Sequence, residues 1–421
     1  MHYDYMVLAG TQGINNHKKL DRMIDVIRGL KVPLIFFCEG GGGRPGDVDA
    51  GDQNIAGLNI PSFHDFARLS GEVPLVGIGS GRLFAGNAAL LGCCDVIIGT
   101  RDLNLGMGGP AMIEGGGLGV YKPEEVGPTS VQYPNGVIDI LVDNEDDAIV
   151  IAKKYLSYFQ GNLGSWEAPE VENLRYVIPE NRLEVYDIRE VIDNIADIGS
   201  VLEIKAGFAK GMFTGFIRVK GKPLGLIANN PLFLAGAIDS DGADKASRFI
   251  KLCENYNIPI LSLCDTPGMM VGPEIEETGL VRHCCRLFLA GANVTVPMMT
   301  IVLRKAYGLG AQAMAGGSFM APQFVVGWPT AEIGAMGLEG AVKLGYRKEL
   351  EAESDVEKKE KLFKKLVDDL YEKGKAINAA SLLEFDTVLD PIESRDWISM
   401  VVESPINSSE KVPKNRYIDS W

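Results

Sequence analysis

Apolar positions along this chain fall into two recurring spacings. Leu20, Met23, Ile24, Ile27 and Leu30 recur at helical spacing, with Gly29 near the expected stop. The short apolar run Leu34-Ile35-Phe36-Phe37 then predicts a buried strand. Pro74 to Ile78 predicts a second strand, about Ala85 to Leu91 a helix, and Val96-Ile97-Ile98 a third strand; Tyr5 to Ala9 reads as a strand as well. Strand, glycine loop, helix, strand is the rhythm of a parallel α/β protein. From Glu349 to Lys375 the chain is dense in Glu and Lys, with Leu362, Phe363, Leu366, Val367 and Leu370 on one stripe. That pattern predicts one amphipathic surface helix whose charges face solvent.

The rhythm occurs twice. Val32-Pro33 through Cys38-Glu39 resembles Ile258-Pro259 through Cys264-Asp265: each places a Cys five residues past a Pro, then a carboxylate, then a Gly/Pro loop. A second Val-Pro strand follows each, Pro74 lying 41 residues past Pro33 and Pro297 lying 38 past Pro259. Each second strand leads into a glycine loop and helix, Gly79 to Gly86 and Ala306 to Gly310. We read a duplicated α/β domain with its seam between about 155 and 185, where Gly161 to Ser165, Pro169 and Pro179 suit a linker. The expected division is 1–165 and 166–421.

Length agrees, since 421 residues suit two or three domains. Glycine is abundant, 50 residues, and gathers in apolar-flanked loops, which points to sites lined by backbone. A net charge of −15 argues against nucleic acid as the main partner. Seven cysteines, several in apolar runs, predict buried free thiols and a reducing compartment, the cytoplasm or an equivalent organelle matrix. The vicinal pairs Cys93-Cys94 and Cys284-Cys285 read as core packing, and no metal site is expected. The N-terminus lacks a signal-peptide pattern, and no apolar stretch is long enough to span a membrane.

Four histidines share no metal spacing, and neither a GxSxG elbow, a P-loop nor a GxGxxG fingerprint appears. Chemistry must then come from backbone groups or from a cofactor brought in. Gly79 to Asn87 is a small-residue loop opening a helix. It either aims free N–H groups at an oxyanion or packs a strand tightly on a helix. Arg304 to Gln312, including Tyr307, Gly308, Leu309 and Gly310, holds the matching place in the second repeat. Arg304 either forks a carboxylate or phosphate or forms a structural ion pair. The third candidate, Glu39 to Asp47 with Gly41, Gly42 and Gly43, either lines a substrate channel or is turn material, and Asp265-Thr266-Pro267-Gly268 is its counterpart.

These residues resemble the carboxyltransferase component of biotin-dependent acyl-CoA carboxylases, of the propionyl-CoA and acetyl-CoA carboxylase β-subunit type. The likeness runs from Glu203-Ile204-Lys205 through Asn257-Ile258-Pro259, Asp265-Thr266-Pro267-Gly268, Arg282-His283, Val296-Pro297, Arg304 to Gly308 and Trp328 to Glu332, ending at Met336-Gly337. The first half matches more loosely. The resemblance implies tandem crotonase-like (ClpP/crotonase) domains, a duplicated ββα superhelix in the α/β class. It implies sites at subunit interfaces, commonly in a hexamer. It further implies an acyl-CoA thioester as substrate, and carboxybiotin delivered on a separate carrier protein loaded by a biotin carboxylase, because no Met-Lys-Met motif or ATP-grasp segment is present.

By motif, the resemblance places oxyanion donors at Ala85 and Gly86 for the thioester and at Leu309 and Gly310 for biotin. Arg304 matches an arginine near the substrate carboxyl group. Carboxybiotin would release CO2 locally, the biotin nitrogen would take the α-proton, and the thioester enolate would attack CO2, so no histidine or carboxylate pair is required. Three departures stand out. Family members carry a leading segment ahead of Tyr5 that this sequence lacks. Gln312 occupies a position that shapes acyl-chain choice, which leaves a polar or unusual acyl group open. Phe84 and Asn87 are bulkier than the usual small residues and either narrow the first site or mark a chain without acyl-CoA activity. Two further readings accompany the first: a decarboxylase subunit of a sodium-pumping complex, with a membrane partner, and a non-catalytic structural subunit.

Overall fold

The computed structural model describes residues 1–44, 46–49, 58–404 and 417–419; Pro45 of the glycine loop lies outside them. The described residues divide into two compact units, 1–160 with 203–208 and 417–419, and 161–202 with 209–404. Strands are numbered along the chain: β1 (Leu34–Phe37), β2 (Leu75–Gly79), β3 (Arg82–Phe84), β4 (Val96–Thr100), β5 (Asn104–Gly106), β6 (Ile140–Val142), β7 (Leu202–Glu203), β8 (Met212–Val219), β9 (Lys222–Asn229), β10 (Ile260–Thr266), β11 (Met298–Tyr307), β12 (Phe324–Gly327), β13 (Glu332–Gly334) and β14 (Thr387–Val388).

In the first unit β1, β2, β4 and β6 form a parallel sheet in that order, and β3 pairs with β5 in a separate parallel ribbon. Ile24, Phe36, Leu69, Leu75 and Leu91 fill its core, so strand and helix faces that are apolar in sequence meet there. In the second unit β14, β12, β11, β10, β9 and β8 follow one another; all pairs are parallel except β8 with β9, and β13 adds to β11. Strands buried on both faces explain the unbroken apolar runs around Ile260 and Met298.

Sheet register turns the repeat into geometry. Leu34 pairs with Leu75 and Ile260 with Met298. The 41- and 38-residue offsets between the Val-Pro strands are therefore the pairing registers of β1 with β2 and of β10 with β11.

A second duplicated device was not read from the sequence. Leu8-Ala9-Gly10 and Leu234-Ala235-Gly236 form the same short turn, with Ala9 at φ 53° and Ala235 at φ 52°. Gly10 presses on the Glu39 carbonyl and Gly236 on the Asp265 carbonyl, so a side chain fits at neither. Two residues on, the backbone repeats its bonds. Gln12 N–H donates to Gly42 O at 2.7 Å and Arg44 N–H to Gln12 O at 2.7 Å. Ile238 N–H donates to Gly268 O at 3.1 Å and Met270 N–H to Ile238 O at 2.8 Å. Gly42 and Gly268 thus occupy equivalent places in the two units.

The helix Ile14–Leu30 stops one residue past Gly29, before Lys31, which adopts the left-handed conformation at φ 54°. Three local expectations are corrected. Tyr5 to Ala9 is a turn leading into a 3₁₀ turn, because the strand place beside Phe37 is taken by His2. The charged segment is two helices, Arg347–Ala352 and Val356–Gly374; Asp355 caps the second by accepting from Lys358 N–H. All seven cysteines are free, but Cys285 is exposed and Cys93 half-buried, so the vicinal pairs only half belong to the core. Among the described residues no helix is long and apolar enough to cross a membrane.

Candidate active site

In the first unit β3 ends at Phe84 and the helix Gly86–Gly92 starts two residues later. Ala85 makes the junction at φ 55° and ψ −124°. It spends its N–H on Gly106 O at 3.1 Å, which ties the junction to β5. Of the expected pair, Gly86 is the member whose N–H opens the helix, where no preceding turn can accept it. Gly42, at φ 84°, lies directly against this point: a Cβ there would be 2.5 Å from the Ala85 Cβ and 3.1 Å from Gly86 N. Gly41 and Gly43 flank it and are exposed. Phe84 does not face an opening; it is buried, with its ring against Gly109.

Asn87 explains how the glycine loop is held there. Fully buried, its carboxamide accepts from Gly42 N–H at 3.0 Å and donates to Cys38 O at 3.0 Å and Gly10 O at 3.3 Å. Its bulk therefore fills the space behind the loop rather than the loop's outer face. Asn87→Ala leaves several buried backbone groups unpaired and should cost about 1–3 kcal/mol, read from the denaturant midpoint at unchanged m-value. An unshifted midpoint would show that the clamp carries no strain.

The second unit repeats the arrangement. β11 ends at Tyr307 and the helix Gly308–Met314 follows at once. Gly310 packs on Gly268 so closely that a Cβ would lie 2.7 Å from its Cα and carbonyl carbon. Gly308 (φ 54°) and Leu309 open onto a cleft of about 900 Å³, which Gln312, Phe319, Met336 and Leu370 also line. Leu309 is 62% exposed, so its side chain stands in the opening.

Arg304 is placed inside the protein, 2% exposed. Its Nε donates to Asp265 Oδ2 at 3.1 Å, its Nη1 to Glu184 O at 2.7 Å, and its guanidinium lies 4.9 Å from the Tyr186 ring centre. Asp265, wholly buried, also accepts from the Tyr186 hydroxyl at 2.8 Å and from Lys305 N–H at 3.1 Å. Of the two roles left open for Arg304, this geometry favours the ion pair.

Tyr307 points away from the cleft as well: its hydroxyl donates to the buried Glu332 at 2.5 Å. Arg182 Nε sits 3.6 Å from the other carboxylate oxygen. Burial raises the Glu332 pKa, against the opposing pull of Tyr307 and Arg182. A carboxyl with a raised folded pKa stabilises the fold fully below its unfolded value, about 4.5, and loses that contribution as pH rises through the folded value. The Tm of wild type relative to Glu332→Gln should therefore fall as pH rises from about 4.5 through the raised folded value. A pH-independent difference would mean that Glu332 does not titrate in that window.

Each of the two α/β units thus packs a glycine closely against a helix start, Gly42 on Gly86 and Gly268 on Gly310. A carboxyl transferase domain model matches residues 1–417, and the chain belongs to that family. It is 31% identical over 406 residues to the propionyl-CoA carboxylase carboxyltransferase subunit of Haloferax mediterranei, covering 94% of this chain and 77% of that one. Among solved structures it is similar to a single-chain, multi-domain long-chain acyl-CoA carboxylase, with 54% identity and a TM-score of 0.89; the match covers 95% of this chain but 39% of that longer one. It is also similar to transcarboxylase 12S, a hexamer solved with methylmalonyl-CoA and methylmalonic acid bound, with 30% identity, a TM-score of 0.85, and coverage of 98% of this chain and 80% of that one. The fold is the tandem crotonase-like one, and the chain is a carboxyltransferase of the biotin-dependent acyl-CoA carboxylase type.

Proposed function

We propose that this chain moves a carboxyl group onto the α-carbon of an acyl-CoA thioester, in a homo-oligomer assembled like the hexameric relative. The observation that carries the reading is the repeated cradle, Gly42 against Gly86 and Gly268 against Gly310. Biotin, borne on a separate carrier and loaded by a biotin carboxylase, supplies the carboxyl group and accepts the α-proton.

This chain's own residues hold charge. As the α-proton leaves, the thioester oxygen becomes an enolate oxygen, and the Gly86 N–H donates to it; the Leu309 and Gly310 N–H groups serve the second oxyanion. Glycine at 42 keeps the Gly86 N–H uncovered, because a Cβ there would lie 3.1 Å from Gly86 N, and glycine at 310 lets its helix start close on Gly268. Preorganised donors gain most where water is excluded, and each contributes roughly 3–4 kcal/mol in comparable sites. Gln312 reaches the same cleft as Leu309 and borders the acyl group. Arg304 acts indirectly, by joining β11 to Asp265 at the end of β10. Phe84 and Tyr307 fix the two strand-to-helix junctions from inside.

The test is reconstitution. The chain is mixed with a biotin carboxylase, a biotinylated carrier, ATP, bicarbonate and an acyl-CoA series. Acyl-CoA-dependent fixation of labelled bicarbonate is expected; none with any acyl-CoA sinks the reading.

A further inference from the structure

We infer that Gln12 is the positioning residue of the first oxyanion site: its carboxamide, buried against the helix start, fixes where the Gly86 N–H points. This rests on the carboxyltransferase reading above and deepens it at one of its two sites. Gln12 is 3% exposed. Its main chain belongs to the bonding of the glycine loop, donating to Gly42 O at 2.7 Å and accepting from Arg44 N–H at 2.7 Å. Its side chain reaches the facing element. A Cβ added to Gly86 would overlap Gln12 Oε1 and lie 3.1 Å from Gln12 Cδ. The carboxamide is held at its other end, where Nε2 donates to the Tyr3 hydroxyl at 3.3 Å. Tyr3 is fixed to β1 in turn: its N–H donates to Phe37 O at 3.0 Å, and its ring centre lies 5.7 Å from that of Phe36. Gln12 thus touches both sides of the cradle, the loop through its backbone and the helix start through its side chain. In a close-packed interior a shift of one side is passed to the other.

The repeat shows that the scaffold does not require this carboxamide. Ile238 makes the matching backbone bonds in the second unit, to Gly268 O and from Met270 N–H, so it holds the place of Gln12. One residue past Gly310, Ala311 holds the place that Asn87 has beside Gly86. There the helix-start glycine meets backbone, since a Cβ on Gly310 would lie 2.7 Å from Gly268. One unit therefore closes with an isoleucine and an alanine, and the other with two buried carboxamides. Burying a carboxamide is unfavourable unless it is bonded, so an aliphatic residue would serve better at 12 if filling space were the whole task. What the carboxamide adds is orientation: bonded to Tyr3, it can lie against Gly86 in one way only, and Gly86 carries the proposed donor.

The experiment compares Gln12→Ala, Gly86→Ala, the double variant and Gln12→Met in the reconstituted system. Gly86→Ala should lose at least about a hundredfold in kcat, because its Cβ needs the place that Gln12 fills and the donor is displaced. Gln12→Ala should lose at least about tenfold in kcat with the KM for acyl-CoA within about threefold, since the donor it steadies acts as charge develops. The double variant, with that place vacated, should turn over at least about fivefold faster than Gly86→Ala alone. Gln12→Met keeps the length and bulk of the side chain, so its Tm stays near wild type, yet its kcat should fall to about a third or less. A double variant no faster than Gly86→Ala, or a Met variant with full kcat, overturns the inference and reduces Gln12 to packing. A second readout needs no turnover. The carbonyl stretch of an isotope-labelled acyl-CoA falls when its oxygen accepts a hydrogen bond. In the binary complex it should lie below that of free acyl-CoA, and lower in wild type than in Gln12→Met. If no acyl-CoA is carboxylated, the proposed function fails while that difference still supports the inference. Equal stretches in the two proteins, or no binding of acyl-CoA at all, reject it.

Discussion

Gly310→Pro should carboxylate acyl-CoA at least a hundredfold more slowly than wild type, while Leu309→Ala stays within a few-fold. The contrast separates main chain from side chain. Proline removes the N–H at position 310, and loss of one preorganised oxyanion donor costs about 10²–10³ in kcat. Its ring carbons must also find space where even a Cβ lies 2.7 Å from Gly268, so the two loops move apart and donor geometry degrades further. Leu309→Ala keeps its N–H and trims only a side chain that is 62% exposed. The effect belongs in kcat, because the donors are needed when negative charge develops and less in the ground state. Steady-state kinetics of both variants, with oligomer size checked by light scattering, decide the matter. Near-normal turnover by Gly310→Pro would end the backbone-donor account of the second site.

Arg304→Met should unfold far more easily than wild type, with the KM for acyl-CoA little changed in the enzyme that remains folded. The reason is burial. Asp265 has no exposure and Arg304 2%, so removing the guanidinium strands a carboxylate among Tyr186 and Lys305. Breaking a buried pair from one side costs roughly 3–5 kcal/mol. In a unit of this size that lowers Tm by about 10 °C. The opposite pattern, wild-type stability with a strongly raised KM, would restore Arg304 to the substrate carboxyl group. Arg304→Lys sharpens the comparison, since an ammonium can meet Asp265 but cannot also reach the Glu184 carbonyl in the same fork.

Much of the scaffold was open to reading without coordinates. Leu34–Phe37 is both the apolar run and the strand, because a short apolar run between helix and glycine loop has few other stable fates. The Val-Pro repeats pointed to the duplication, and the pairing of β1 with β2 and of β10 with β11 turned their offsets into registers. Boundaries fared worse where tertiary packing competes with propensity. The Glu- and Lys-rich segment breaks at Asp355 because that side chain can cap a new helix.

The Leu-Ala-Gly turns could have been noticed as a repeated tripeptide. Three residues carry little information alone, and their meaning lies in the carbonyls of Glu39 and Asp265 that they touch. The candidate sites divide in the same way. Glycine at 42, 86, 268 and 310 signals backbone approach to something, but not to what.

Sequence alone determined what is local or periodic: the α/β rhythm, the duplication, the helices opening near Ala85 and near Ala306 to Gly310, and the family motifs between Glu203 and Gly337. Tertiary structure decided everything that depends on partners far along the chain. It gave the Ala85 N–H to Gly106, enclosed Arg304 with Asp265, set Asn87 behind the glycine loop, and lined the cleft with alanine and leucine from positions as far along the chain as residue 382. The physical reason is that hydrogen bonds and burial are satisfied by whichever group the folded strands bring within about 3 Å, and spacing along the chain does not specify that group.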